Sequence, residues 1–591
     1  MKGALMIKSM LHFFLVGLFL FPPCLAFAEE PMPTTTNPSP PSSPPTLRQG
    51  FDRLSPAAQD VALGGKEGGR DAMDFKAGEI IVKFREDIPQ ASVQSLLLAE
   101  GISILDEIDN PGFMLLSVPK GQELEKIEEL KRNPLVEYAE PNYVARIADP
   151  IAVEPHYNSL RAPDVEPNDP YFPSQWNLIK IEAPAAWHVT TGSDKVVIAF
   201  VDSGVDLEHL EFKDKIWTND DPPGDADGDG DPDDDQNGYV DDVHGWDFVN
   251  WHGEPQDDYG HGTFVASIAA AETNNGLGMA GVSWGVEIMS IKVVDNRGYA
   301  SLADINGGIK YATDNKAKII NIGPILTGSD YPQALQTFVD YAHSKGALVV
   351  AAAGDSFTST YKYPASLNHV VSVAATNRYD GHPDFSTYND KVDIAAPGSD
   401  ILGIYLGYGH GRLFSTQAAA AHISGLAALI WSVNPALTND QVESIIESTA
   451  VDLGEPGRDD YFGHGRIDVT AAVMTTTHYL QVEPDSLYFL VCDDSVPPFG
   501  KITNPNTNYS TWSATATAPW LSISPPEGYT PSSVTVSVDK DGLLDFGLYT
   551  AAITATSTMT NYVNNPKTIT ATVNYSSQCW KNYLPLLFKE S

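Results

Sequence analysis

Cysteine is nearly absent: the chain has three in 591 residues. Cys24 lies in an N-terminal leader, so a mature chain keeps only Cys492 and Cys579, which either form one disulfide or stay as two free thiols. Positive charge is scarce too. Thirty-six lysines and arginines face 77 aspartates and glutamates, a formal net charge of −41. Such a field repels phosphate backbones and anionic lipid, which excludes nucleic acid as a partner and favours solubility. Long apolar runs are missing after residue 25, and with them any candidate membrane span beyond the N-terminus.

What is present begins with an address. Lys2 and Lys8 precede an apolar run from Leu11 to Leu25, and Ala26-Phe27-Ala28 offers a small-residue cleavage site before Glu29. This is the pattern of a secretory signal peptide over residues 1–28, with an uncleaved anchor as the competing reading, and it predicts a secreted or cell-surface protein. With 42% hydrophobic and 19% charged residues, the chain buries large cores and divides into several domains. Residues 29–73 open on Pro, Thr, Ser and Asn and read as a linker. Residues 74–147 alternate short strands with two helices in a βαββαβ order, which predicts a small α+β, ferredoxin-like domain.

Residues 148–476 carry near-continuous apolar runs at 196–201, 288–294, 318–322, 347–353 and 369–374, separated by amphipathic helices. One helix follows Thr438, with Gln441 at the spacing of a capping box. Runs of this kind belong to strands covered on both faces, so a doubly wound parallel sheet in an α/β domain is expected. Residues 477–578 turn to Thr, Ser, Val and Tyr with Pro, Asn and Gly turns, the texture of an Ig-like antiparallel β-sandwich, and 579–591 form a short apolar tail.

The most helix-prone and core-like run spans 414–430. Ser415 or Thr416 can accept the first free backbone N–H groups, and Ile423, Leu426, Ala427 and Ile430 share one apolar face. Its N-terminus offers unpaired donors and positive dipole, a suitable place for an attacking oxygen and the anion it creates. That place is held by Gln417.

In a parallel sheet, ligands sit beyond the C-terminal ends of the strands. Asp202 follows the first strand in Val201-Asp202-Ser203-Gly204, and His261 stands in Gly260-His261-Gly262-Thr263-Phe264-Val265-Ala266 ahead of a helix. Each is weak alone, since a strand-end Asp is commonly a turn residue and a Gly-flanked His a loop. Together with Tyr363-Pro364-Ala365-Ser366, Asp393-Ile394-Ala395-Ala396-Pro397-Gly398 and Gly463-His464-Gly465-Arg466-Ile467-Asp468, they resemble the subtilisin-like serine proteases, the subtilases (peptidase S8), over about residues 165–475. Residues 78–144 are similar to the propeptides that chaperone and inhibit these enzymes.

The resemblance implies a subtilisin-like fold and an Asp, His, Ser triad, with Asp202 orienting the base His261. Aligned on His422, the family pattern Gly-Thr-Ser-Met-Ala-X-Pro-His lays Ser415 on the Gly, Thr416 on the Thr, Gln417 on the catalytic Ser and Ala421 on the Pro. A carboxamide is no nucleophile and has no proton for a base to remove on the way to an acyl-enzyme. The family's oxyanion-stabilising Asn is Asp355, whose ionised form would repel developing negative charge, although a protonated carboxyl could still donate. The substrate-pairing edge reads Gly323-Pro324-Ile325, and Pro324 has no N–H for an extended peptide.

Between the Asp and His motifs lies an acidic insertion with Asp225, Asp227, Asp229, Asp231, Asp233, Asp235, Asn237 and Asp241. Alternating carboxylates with Gly230 and Gly238 suit a hard cation, and calcium offsets their mutual repulsion; a solvated acidic loop is the bland alternative. The chain therefore reads as a secreted subtilase homologue without its nucleophile, a binding or scaffold protein for an extended peptide or protein, or for its own propeptide-like domain. Two rivals stay open. One is a working endopeptidase using Ser415 or another nucleophile, and the other is a surface-binding module acting through the C-terminal sandwich.

Overall fold

The structure, a computed structural model, describes residues 74–85, 88–108, 112–148, 151–152, 167–219, 233, 235, 237–328, 330–407, 409–477, 484, 486–492, 499–504, 511–529, 532–543, 545–557 and 567–576. The signal peptide and linker of the sequence reading, Cys579 and the apolar tail lie outside these residues.

Strands Phe75–Phe84 (β1), Ser103–Ile108 (β2), Phe113–Ser117 (β3) and Val136–Arg146 (β4) form an antiparallel sheet in the order β2-β3-β1-β4, with helices Gln90–Glu100 (α1) and Glu123–Lys131 (α2). Strand alternation sends Ile80, Val82, Leu116 and Ala139 to one face, against Val93, Leu97, Ile127 and Leu130 of the helices. The opposite face, with Phe75, Ile81, Phe113 and Tyr143, shares its core with the α/β domain; the rings of Phe113 and Phe338 are 4.8 Å apart. Two polar residues of β4 complete helices across this contact. Glu140 accepts the N–H groups of Gln333 (2.9 Å) and Ala334 (2.7 Å) at the start of helix Gln333–Ser344, which has no side-chain cap at its own N-cap residue. Asn142 Oδ1 accepts from Ala303 N, 3.0 Å away, at the start of helix Leu302–Asp314.

The α/β domain is built on seven parallel strands: Val197–Asp202 (β5), Gly245–Asp247 (β6), Glu287–Lys292 (β7), Ile319–Ile322 (β8), Leu348–Ala352 (β9), Val370–Thr376 (β10) and Ile394–Pro397 (β11). Their spatial order is β11-β10-β9-β8-β5-β7-β6. The helix Thr416–Val433 is buried over most of its length and shares a core with Ile198, Phe200, Val350 and Val373 of the sheet. Small residues let it sink this far. A Cβ on Gly425 would lie 2.6 Å from Val282 Cβ and 2.9 Å from Ala269 O, so only glycine fits there. Thr438 and Gln441 form the expected capping box on Asn439–Ser448.

Residues 486–576 form two sheets, one of five strands and one of three, over a core with Trp512, Val534, Val536, Ile553 and Val573. One pair departs from the antiparallel expectation: Ser486–Cys492 runs parallel to Lys567–Ser576. Inward and outward residues alternate in the same way in either direction, so composition and period carry no sign of it. Cys492 ends a strand, and its expected partner Cys579 is outside the described residues. Among the described residues, no helix is long and apolar enough to cross a membrane.

Candidate active site

The crevice opens where the sheet order reverses: β7 lies on one side of β5 and β8 on the other, so the C-terminal ends of β5 and β8 face the same space. Asp202 ends β5, fully buried, and its Oδ1 accepts the Ser203 N–H at 2.7 Å. Gly323 follows β8, and a Cβ there would lie 1.9 Å from Asp202 Oδ2, so the carboxylate can lie against this backbone only because it is glycine. His261 opens the helix His261–Ala270 (α3), whose start is held by Asp257, which accepts from the backbone N–H of Tyr259, Gly260 and Thr263 and from the Thr263 hydroxyl. His261 Nδ1 is 2.9 Å from both Asp202 oxygens.

Opposite His261 stands the N-terminus of Thr416–Val433. Ser415 is its N-cap: Oγ accepts the Gln417 N–H at 3.0 Å and donates to Asp355 Oδ2 at 2.5 Å. Asp355 Oδ1 accepts from Thr416 N (2.7 Å) and Thr416 Oγ1 (2.8 Å). This corrects the sequence reading of Asp355 as a charge aimed at a developing oxyanion. The carboxylate folds back onto the helix start, where free N–H groups and the dipole favour it. Burial raises its pKa, against the donors from Ser415 and Thr416.

Gln417 is buried, and each end of its carboxamide is spoken for. Nε2 donates to Gly323 O at 2.5 Å, which turns Oε1 toward His261 Nε2, 2.9 Å away. An amide oxygen only accepts, so His261 Nε2 carries a proton; with Nδ1–H given to Asp202, the imidazole is a cation. Burial alone would depress the His261 pKa, but the Asp202 charge and hydrogen bond, the Gln417 hydrogen bond and the charge of Asp257 together raise it above 6.5. His422, further along the helix, is the opposite case: burial lowers its pKa to about 4, and it lies between Ala418 O (2.7 Å) and Asn177 Nδ2 (2.8 Å) as a neutral structural residue.

The groove is filled by the chain itself. The end of β4 pairs on one side with Tyr299–Ser301, Arg146 opposite Tyr299. On the other side Arg146 N donates to Ile325 O at 3.1 Å and Ile325 N to Arg146 O at 2.8 Å. Ile147 N then donates to Gly298 O at 3.2 Å, and Ala148 N to Gln417 Oε1 at 3.3 Å. The expectation that Pro324 spoils strand pairing is overturned here. Antiparallel partners exchange hydrogen bonds at every second residue, so the edge presents its groups at 323 and 325, and the missing N–H of Pro324 falls at the position that does not pair.

Of the acidic insertion, Asp225, Asp227, Asp229 and Asp231 lie outside the described residues. Asp233 accepts from the N–H of Asn237 (3.1 Å) and Gly238 (2.8 Å), and Asn219 Nδ2 bridges Asp235 Oδ2 (2.9 Å) and Asp242 Oδ1 (2.6 Å). Of the adjacent pair 241 and 242, it is Asp242 that is fully buried, its pKa pushed up to about 6 by burial. Sequence reasoning missed a second oxygen-rich recess. Glu211 Oε2 is buried without a hydrogen-bond partner, and burial followed by the charge of Asp169 pushes the Glu211 carboxyl up to about 8. Asp169 accepts the N–H groups of Asn274 (2.8 Å) and Asn275 (3.3 Å). Two carboxylates crowded beside a loop suit a hard cation. Their separation in sequence leaves no local motif to find. Among the described residues, no three His, Cys, Asp or Glu side chains converge on a metal position.

A buried Asp–His pair at the switch point of a parallel sheet, facing a central helix N-terminus under a small N-terminal domain, is the framework of the Asp-His-Ser hydrolases of subtilisin type. The chain belongs to the subtilase family: residues 193–465 match the Subtilase family, and residues 65–142 match the Fervidolysin N-terminal prodomain. It is 34% identical over 401 residues to the Thermophilic serine proteinase of Bacillus sp. (strain AK1), covering 68% of this chain and 88% of that one. It is 37% identical over 308 residues to Thermitase of Thermoactinomyces vulgaris, covering 52% and 99%. With the Halolysin-like extracellular serine protease Nep of Natrialba magadii it shares 30% identity over 409 residues, 68% of each.

Proposed function

We propose that this protein is a secreted, non-hydrolytic subtilase that holds an extended peptide strand instead of cutting it. One observation carries the reading: the group facing His261 Nε2 at 2.9 Å is the Gln417 carboxamide oxygen. The position offers neither a hydroxyl to attack a carbonyl nor a free lone pair on His261 to accept a proton. Ser415, the rival nucleophile, gives its hydroxyl proton to Asp355 and one lone pair to the helix start, and among the described residues no base other than the Asp355 carboxylate contacts that proton. The Asp355 carboxylate, bound to the same helix start, offers no donor to an oxyanion. A serine-reactive fluorophosphonate tests this on secreted protein. No labelling is the expected result, and labelling at Ser415 would restore the endopeptidase reading.

Calcium in this reading is structural. Carboxylates of the insertion, Asp233 and Asp235 among them, or Asp169 and Glu211 in the second recess, would supply hard oxygen ligands and gain relief from crowded negative charge. The exposed Tyr488, Phe546 and Leu548 of the C-terminal sandwich favour a surface contact there in addition to the groove.

A further inference from the structure

With Arg146 paired to Ile325, the antiparallel register sets Ala148 opposite Gly323 as the next hydrogen-bonded pair. The Gly323 N–H is already given to Val201 O at 3.1 Å within the parallel sheet, leaving Gly323 O to receive Ala148 N–H. The two do not meet directly. Gln417 Nε2 donates to Gly323 O, and Gln417 Oε1 accepts from Ala148 N. A carboxamide has the same donor and acceptor as a peptide unit, so the side chain stands in the ladder as one link of backbone would. His261 Nε2, 2.9 Å from the same Oε1, holds it in that orientation. Ala148 itself packs, partly buried, against the main core.

We propose that Gln417 is a backbone-reading latch, which passes one rung of the groove's hydrogen-bond ladder to the chain's own segment 144–148 and keeps that segment seated. The inference rests on the non-hydrolytic reading, because a residue that must release a product could not also clamp its amide. It also defines the ligand class. The groove takes an extended peptide strand with a free N–H at the position of Ala148, and rejects proline or an N-alkylated residue there.

Backbone hydrogen exchange of the peptide 141–148 in the full-length protein tests it, with Gln417→Ala, Ala148→Pro and the double variant. Loss of one such hydrogen bond corresponds to about a tenfold change in opening. Gln417→Ala is expected to speed the slowest amides of this peptide by about tenfold, and Ala148→Pro to do the same at Arg146 and Ile147. The double variant should add nothing further, since both changes remove the same link. Exchange across Ile80–Val82, paired to Leu116–Met114, should not change. Unaltered exchange in either single variant, or effects that multiply in the double, would overturn the latch. Ala148 is only partly buried, at the rim of the core, so Ala148→Pro keeps the test valid should Gln417→Ala misfold. Ester turnover measured on the same preparation separates the two ideas: turnover with a protected segment sinks the non-hydrolytic reading, and no turnover with an unprotected segment sinks the latch.

Discussion

The two sides of the crevice differ in what they keep. On the side of Asp202 and His261, an acid and an imidazole meet at 2.9 Å with every supporting contact in place, down to the glycine that makes room for the carboxylate. On the side of Ser415, Gln417 and Asp355, the same kind of backbone, a helix N-terminus, carries a carboxamide facing His261 and a carboxylate bound to the helix start. Strand ends and helix starts set the geometry of the site, while single side chains set its reactivity. On the proposed reading, the first is whole where the second is gone.

Restoring the reactive side should have the largest effect. The loss of the serine in such a triad costs roughly a millionfold in rate, and one oxyanion donor a further hundred to a thousandfold. Gln417→Ser frees His261 Nε2 but leaves Asp355 in place, so it recovers little peptide-ester turnover. Gln417→Ser with Asp355→Asn should exceed either single change by on the order of a hundredfold. Equal rates in the single and double variants would show that Asp355 is not the second obstacle.

The acidic side of the molecule comes next. If the insertion or the Asp169–Glu211 recess holds calcium, chelation lowers the melting temperature, by an amount that corresponds to about 2.7 kcal/mol when the starting calcium is a hundred times Kd. An unchanged transition with and without excess calcium argues for a bare acidic loop.

A smaller effect separates a cap from a nucleophile. Ser415→Ala removes the N-cap hydrogen bond of the central helix and should cost about 1 kcal/mol in urea unfolding, with peptide-ester turnover unchanged from the unaltered protein. The smallest effect concerns the docked domain. Burial pushes the Glu140 carboxyl up to about 7, against the N–H groups of Ala334 and Gln333. The folded chain then holds a proton between about pH 4.5 and 7 that the unfolded chain has lost. The contribution of Glu140 to stability is full below its ordinary value and falls as pH rises through the folded one. Glu140→Gln should flatten the dependence of Tm on pH within that window, and an unchanged slope would assign the pH dependence to other groups.

Much of the framework was legible in the sequence, because buried parallel strands and an alanine-rich helix leave strong local patterns; the central helix begins at Thr416 after Ser415, as its composition predicts. The motifs around Asp202 and His261, weak singly, pointed to this crevice through the family resemblance, and the two side chains do meet there. What could not be read depends on partners far along the chain. Pro324 looked damaging because the parity of the pairing at Ile325 exists only once Arg146 lies beside it. Asp355 looked like a misplaced charge until its contacts to Ser415 and Thr416 gave it a role at the helix start. The Gln417 amide could be named from sequence, but its orientation is fixed by Gly323 O and Ala148 N, 94 and 269 residues away.

The central claim, that the crevice binds without cutting, is tested most directly by peptide-ester turnover of the unaltered full-length protein measured beside His261→Ala and Ser415→Ala. All three should match the buffer rate. Turnover by the unaltered protein that disappears in His261→Ala would contradict the claim, and its disappearance in Ser415→Ala as well would identify Ser415 as the nucleophile.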